Sequence, residues 1–536
     1  MIASAHVDTF ARDHLPPPAL WPELLFELPT LQYPPRLNCA AELLASGDGA
    51  KPAILWRGGC WSRAELADKI DRIARVLVED MGLVPGNRVL LRGANGPMLA
   101  ACLLAVWKAG LIAVPTMPLL RAPELRAVID KARIGAALCA APLLDELERA
   151  RGIPLERIVV FDGDAEDALE RRMQAKAGGF TAVDTAAEDV CLIAFTSGTT
   201  GEPKGAVHFH RDMLAICDCF PRSTLAVQPD DVFIGTPPLA FTFGLGGLLL
   251  FPLRAGASAV LLEQATPESL LQAMQDFRAT VCFSAPTFYR RMAALAPRYD
   301  LSTLKKSVSA GEALPAATRA AWKQATGIEM IDGIGSTEML HIFISAAGAD
   351  VRPGAIGRPI PGYRACVLDA YGRPLPPGQA GRLAVKGPTG CRYLDDARQR
   401  DYVHNGWNLT GDICEMDADG YFHYRGRSDD MIVSSGYNIA GPEVEGALLG
   451  HPAVAECAVV GWPDRARGQI AKAFVVLRPE AAPGAELARE LQDFVKQAIA
   501  PYKYPRAIEF VAALPRTGTG KLQRFRLRPG GGTVEK

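Results

Sequence analysis

The stretch Phe195-Thr-Ser-Gly-Thr-Thr-Gly-Glu-Pro-Lys-Gly205 decides how the rest of the chain is read. The run before it, Val190–Phe195, is apolar, so a buried strand delivers a loop containing Thr196, Ser197, Gly198, Thr199, Thr200 and Gly201. Glycines let backbone N–H groups approach an anion, hydroxyls donate further hydrogen bonds, and Lys204 adds a point charge. That is the chemistry of a polyphosphate cradle. It is not a Walker A loop, which needs Gly followed directly by Lys and Ser or Thr, whereas Glu202 and Pro203 intervene here. A flexible Ser/Thr/Gly turn is the alternative, and it leaves the entering strand and the closing lysine unexplained.

Working outward, short apolar runs alternate with helical stretches. Val89–Leu91 and Ile112–Val114 predict buried strands around a helix at Met98–Ala109, a β-α-β unit and hence an α/β fold with a parallel sheet. Further runs follow at Ile158–Phe161, Val232–Ile234, Ala259–Leu262 and Val281–Phe283. After Gly357 the density of Pro and Gly rises and short strands at Tyr363–Leu368 and Arg382–Lys386 predict a β-rich subdomain over about 357–425. Beyond Gly426-Arg-Ser-Asp-Asp430 a smaller α+β unit is expected. There Leu487, Leu491, Phe494, Val495 and Ala498 line one face of a helix. The predicted division is therefore 1–428 and 429–536.

Composition excludes several classes. At 536 residues the chain is long enough to bury large cores without disulfides or metals. Apolar residues at 49% and charged residues at 22% exclude wholesale disorder. Lys and Arg total 58 against 59 Asp and Glu, a balance without the basic face of a nucleic-acid binder or a polybasic membrane patch. The 12 cysteines are scattered, apart from Cys217 and Cys219, without zinc-finger spacing, and read as small buried hydrophobes in a reducing compartment. No secretory leader is read at Met1, and the longest apolar stretch, Met98–Trp107, is too short to span a bilayer. A cytoplasmic protein is expected, monomer or homodimer left open.

The loop does not stand alone. Asp332-Gly-Ile-Gly-Ser-Thr-Glu338, Asn408-Leu-Thr-Gly-Asp412, Gly426-Arg-Ser-Asp-Asp430 with Gly436-Tyr-Asn-Ile-Ala-Gly-Pro-Glu-Val-Glu445, and Pro515-Arg-Thr-Gly-Thr-Gly-Lys521 follow in order. With Phe195–Gly205 they resemble the motif set of the adenylate-forming superfamily of acyl-CoA and aryl-CoA ligases, luciferases and peptide-synthetase adenylation domains. The resemblance covers most of the chain. It implies the adenylate-forming fold: a large N-terminal domain of α/β subdomains with a β-rich subdomain, and a small, mobile C-terminal domain. It implies ATP, Mg²⁺ and CoA as cofactor and co-substrates, and an organic acid that becomes an acyl-adenylate and then a thioester.

By that resemblance Lys521, flanked by Gly518 and Gly520, brings positive charge to the carboxylate and the α-phosphate, where two anions must meet. Glu338 is implied as the Mg²⁺ ligand, with Thr200 beside it. As an alternative, Thr337 and Glu338 cap a helix starting at Met339. Asp412 would accept from the ribose hydroxyls, Gly311, Glu312, Asp332 and Gly333 would flank the adenine, and Arg427 would join the ribose or phosphate contacts. Asp429 falls at the hinge, and Gly436 with Tyr437 at the passage for the pantetheine arm. Lys503 and Arg506 are open between CoA phosphate contacts and ordinary surface charge.

The acid would lie between Leu239–Gly247, Ser284–Tyr289, Ser309–Glu312 and Gly333–Phe343, segments that carry Phe241, Thr242, Phe243, Gly244, Phe288, Tyr289, Gly335, His341 and Phe343. No Asp or Glu lies in 239–247 to pair an ammonium, which weighs against α-amino acids. Gly335-Ser-Thr-Glu-Met-Leu-His-Ile-Phe343 resembles benzoate-type CoA ligases. The N-terminal arm and His208-Phe-His-Arg-Asp-Met-Leu look most like the 2-aminobenzoate–CoA ligases. A medium- or long-chain fatty acyl-CoA ligase, or an enzyme loading a carrier protein, are the alternatives. His210-Arg-Asp212 mimics a kinase triplet, but Cys217 stands where Asn is needed. His208 and His210 are read as packing or phosphate-proximal groups rather than metal ligands. We predict that Lys521→Ala abolishes adenylate formation while thioester formation from preformed adenylate stays within about tenfold of wild type, because the cation serves only the first step. Equal loss of both half-reactions in single-turnover assays would reject that role.

Overall fold

A computed structural model describes residues 2–152, 154–196, 203–428, 430–434, 437–464, 467–499, 501–516 and 522–529. A six-stranded sheet runs in the order Arg157–Phe161, Ala136–Ala140, Arg88–Arg92, Ile112–Thr116, Val190–Thr196, Lys204–Phe209. The first five strands are parallel and the last turns back antiparallel on Val190–Thr196. Arg88–Arg92, Ile112–Thr116 and Ala136–Ala140 are buried at every position. Covered on both faces, such strands read as continuous rather than alternating apolar runs. The helix foreseen at Met98 is Pro97–Lys108, and it has no exposed face from Met98 to Trp107.

In the nine-stranded sheet, Met330–Gly335, Lys306–Ala310, Val281–Ser284, Val232–Gly235, Ser258–Val260 and Pro52–Trp56 form a parallel centre. Their side chains alternate between faces. Phe233, Ala259, Val281, Phe283, Val308 and Ile331 join the large core around Pro97–Lys108, whereas Ile234, Val260, Cys282 and Met330 join a second core with Tyr289 and Trp322. This sorting matters below, because one face belongs to the site.

The Pro- and Gly-rich region forms a third, antiparallel sheet of Arg364–Leu368, Ala380–Lys386, Trp407–Met416, Val403–His404 and Phe422–Arg427. A fourth sheet contains Ile432–Ser434, Tyr437–Ile439, Val454–Asp464, Gly468–Leu477 and Ala507–Phe510, covered by helices Gly441–Leu448 and Ala485–Ala498. Leu491 and Val495 of the latter helix are buried, as its spacing foretold. Ten of the 12 cysteines are buried; Cys60 is exposed and Cys366 half-buried. Among the described residues no helix is long and apolar enough to cross a membrane.

Where the six-stranded sheet meets the region after Lys386, Arg392 donates to Asp212 with both side chains fully buried. Arg392 also lies 3.9 Å from the Phe209 ring centroid and 5.6 Å from Trp21, and its carbonyl accepts from the Val207 N–H at 2.8 Å. Burial alone would raise the Asp212 carboxyl, but Arg392, then His208 and Arg211, hold it below its ordinary range. We predict that Asp212→Ala, which strands a buried guanidinium, costs about 3–5 kcal/mol. A urea midpoint unchanged from wild type would show that the pair carries no such load.

Candidate active site

The parallel strands Lys306–Ala310, Met330–Gly335, Val232–Gly235 and Val281–Ser284 end at one edge of the nine-stranded sheet. In open α/β sheets the carboxyl ends of strands form the ligand crevice. Lys204 opens the last strand of the six-stranded sheet, directly paired with Thr196. Ser197, Gly198, Thr199, Thr200 and Gly201, which lie between them, fall outside the described residues, as do Asp429, Gly436 and Lys521.

The Lys204 ammonium lies 4.9 Å from the centroid of the Tyr393 ring. The Tyr393 hydroxyl donates to Glu338 Oε1 at 2.5 Å, and the Tyr402 hydroxyl lies 3.5 Å from Oε2. Burial first, then the Glu338 charge, raises both phenols far above their ordinary range, so they remain neutral donors. The Glu338 oxygens keep lone pairs for a cation, and a carboxylate of this kind is the hard donor that Mg²⁺ takes.

The helix from Met339, the alternative reading of Thr337 and Glu338, does not form. Ser336 Oγ accepts the Met339 N–H at 3.2 Å, Leu340 adopts φ +71°, and the chain returns as Ile342–Ser345, antiparallel to Met330–Gly335. A tight return beside the parent strand leaves no room for a helical turn. Thr337 and Glu338 sit in this return, and His208 Nε2 lies 2.9 Å from the Thr337 carbonyl.

On the other flank, Gly311 adopts φ +87° and presents no side chain. Glu312 Oε2 accepts from the Thr287 hydroxyl at 2.6 Å, and Oε1 from Arg516 at 3.2 Å. Arg516 also donates to Glu456 at 2.8 Å and bridges to Leu522. Arg516 thus ties the C-terminal unit to the crevice rim. Asp412, expected after a short strand, lies within the ten-residue strand Trp407–Met416 and faces Arg427, which donates to it at 3.2 Å and to the Thr410 carbonyl at 2.7 Å. Gly411, at φ +78°, is required there, since a Cβ would come 2.6 Å from the Arg427 guanidinium.

The sequence places His341, Thr242, Phe241 and Phe243 together, and the structure brings Phe243 and His341 to 5.6 Å. His341 also meets Phe251 at 4.5 Å and Phe220 at 5.9 Å. Neither imidazole nitrogen has a well-formed partner among the described residues. Burial pushes its pKa down to about 3, so the ring is neutral. A Cβ on Gly246 would come 2.5 Å from the imidazole, and one on Gly247 would come 2.6 Å from Phe283. Thr242 is buried in the helix Thr242–Leu245, with Phe241 before it. Gly335 lies against the His341 carbonyl.

The remaining candidates are placed as follows. Phe288 and Tyr289 pack into the second core on the opposite face, and the Phe343 ring lies 6.4 Å from that of Tyr363. Gly244 lies against the Pro237 and Pro238 carbonyls, which a Cβ there would meet. Lys503 is paired with Glu443 at 2.6 Å, and Arg506 donates to the Tyr504 hydroxyl. Tyr437 begins the strand Tyr437–Ile439. His210 has gathered Cys39 and Cys191 within 4.8 Å, and its Nδ1 already accepts the Cys39 N–H. Phe283 was legible as an inward residue of Val281–Ser284 from strand alternation. Tyr393 and Tyr402 carried no local signal, because they reach Glu338 across 55 and 64 residues.

Comparison with known proteins agrees with this geometry. The family model described as AMP-binding enzyme matches residues 43–392, and that of the AMP-binding enzyme C-terminal domain matches 443–521. A benzoate–CoA ligase of Thauera aromatica is 37% identical over 512 residues, covering 93% of this chain and 97% of its own. An anthranilate CoA ligase solved in complex with anthranoyl-AMP superposes with a TM-score of 0.88 at 35% identity, covering 93% of this chain and 98% of that one. A benzoate CoA ligase from Burkholderia xenovorans LB400 gives 0.85 at 33% identity, covering 92% and 100%.

Asp332 yields a signed prediction. Burial raises its carboxyl to about 7 from an ordinary 3.8, with Arg319, the Gly333 N–H and Ser309 pulling the other way. Between those values the folded chain holds a proton the unfolded chain has lost, so stability falls as pH rises and the penalty is complete above pH 7. We predict that Asp332→Asn raises the ligand-free Tm more at pH 8 than at pH 5. Equal shifts at both pH values would sink the assignment.

Proposed function

The chain belongs to the AMP-binding enzyme family, and from that premise we propose that its substrate is a benzoate-type acid, benzoate or 2-aminobenzoate. Its relatives are acyl- and aryl-CoA ligases, so the chain is an AMP-forming acid–thiol ligase. The observation that supports the aryl reading is the uncharged aromatic cluster of Phe243, Phe251, Phe283 and neutral His341 packed against Gly246 and Gly247. Aromatic rings suit the flat faces of an aryl acid, and the cluster offers no charge to hold an ammonium.

In the first step a carboxylate oxygen attacks the α-phosphorus, the bond to the β-phosphoryl oxygen breaks, and diphosphate leaves. Two anions converge, so the cations must be fixed beforehand. We assign Lys204 and the loop Thr196–Gly201 to the phosphates, and Lys521 to the meeting point. Glu338, with Thr200, would hold Mg²⁺, which neutralises phosphate charge. Asp412 would accept from the ribose diol while Arg427 fixes its orientation. Gly311, Glu312, Asp332, Gly333 and Thr337 would border the nucleotide. In the second step the CoA sulfur attacks the acyl carbon, the bond to AMP breaks, and the thiol proton passes to solvent. We place the domain boundary at Asp429, with Gly436 and Tyr437 bordering the pantetheine path. A cytoplasmic setting accords with the buried, unpaired thiols.

We predict that in an AMP-release assay with ATP, Mg²⁺, CoA and a panel of acids, benzoate or 2-aminobenzoate has a kcat/KM at least about tenfold above octanoate, roughly the discrimination a shaped apolar pocket supplies. Octanoate ahead of every benzoate would overturn the aryl reading. Acyl transfer to a carrier protein but not to CoA would overturn the acceptor.

A further inference from the structure

A lysine and a carboxylate that serve the same nucleotide face a hazard: they neutralise each other. In water-poor surroundings an ammonium and a carboxylate within reach form an ion pair, and neither then offers its full charge to a ligand. Among the described residues no ion pair joins Lys204 to Glu338, although one side chain touches both. The Tyr393 hydroxyl takes Glu338 Oε1 at 2.5 Å, and the Tyr393 ring receives the Lys204 ammonium at 4.9 Å.

The ring's place is set by the scaffold. The Tyr393 N–H donates to Gln399 Oε1 at 2.8 Å, and the ring meets the edge of Tyr402 at 5.7 Å. The preceding residue, Arg392, is held by Asp212. Glu338 is constrained from its other side as well, through the Thr337 carbonyl and His208.

Resting on the ligase reading above, the geometry points to Tyr393 as a positioning residue that keeps the phosphate-facing ammonium of Lys204 apart from the metal-holding carboxylate of Glu338. The hydroxyl engages the anion and the aromatic face engages the cation, so both charges are poised before nucleotide arrives. Removing the hydroxyl alone releases Glu338 toward Lys204.

The test is Tyr393→Phe, which keeps the ring. Binding of a non-hydrolysable ATP analogue, titrated without acid or CoA, should weaken about tenfold in the presence of Mg²⁺, as when a group supporting a metal ligand is lost, and change little in EDTA. In turnover, KM for MgATP should rise while KM for the acid stays at the wild-type value, and the thioester half-reaction from preformed adenylate should be unaffected. Because the two contacts act as a unit, adding Tyr393→Phe to Lys204→Met should cost less than about twofold more, a non-additivity that a general packing defect does not produce. Wild-type MgATP affinity in Tyr393→Phe, equal losses with and without Mg²⁺, or additivity with Lys204→Met would each overturn the proposal. The binding arm needs no acid, so a wrong acid class leaves it readable. A wild-type chain that releases no AMP with any acid would instead overturn the ligase reading.

Discussion

Two anions must be brought into contact in a cleft poor in water, and that requirement governs the molecule. Coulomb repulsion between a carboxylate and a polyphosphate grows as water is excluded, so the protein has to supply compensating charge in advance. Lys204 lies over the Tyr393 ring, and Glu338 is met by the hydroxyls of Tyr393 and Tyr402. The supporting layer is costly, because it buries Asp212, Arg392 and His208 completely. It is tolerable because the ions are paired and packed against Phe209 and Trp21.

The aromatic cluster around His341 follows the opposite rule. It contains no charge, and its one titratable ring is held neutral by burial. Gly246 and Gly247 stand where a Cβ would strike His341 or Phe283, so a side chain at either would displace the rings.

Much of this was legible in the sequence. The apolar runs Val89–Leu91 and Val281–Phe283 announced buried strands, and both lie within strands of the two large sheets. The ordered glycine- and hydroxyl-rich motifs pointed to the family that the comparisons show, because backbone access to phosphate demands those residue types. Two features were not legible. The return after Glu338 reads locally as a helix start, but pairing of Ile342–Ser345 with Met330–Gly335 overrides it. Tyr289 and Phe288 look like pocket aromatics by position, yet pack into the core beneath the sheet. Contacts such as Tyr393 to Glu338 depend on tertiary closure, for which a linear pattern carries no sign.

Arg516 is shared between Glu312 at the crevice and Glu456 of the strand Val454–Asp464. A cation divided between two carboxylates can release one and keep the other, so its departure from the rim does not expose a naked charge. A shared contact of this kind helps set the register in which the smaller unit meets the crevice rim, and dissolved salt, by competing for the same carboxylates, would weaken it.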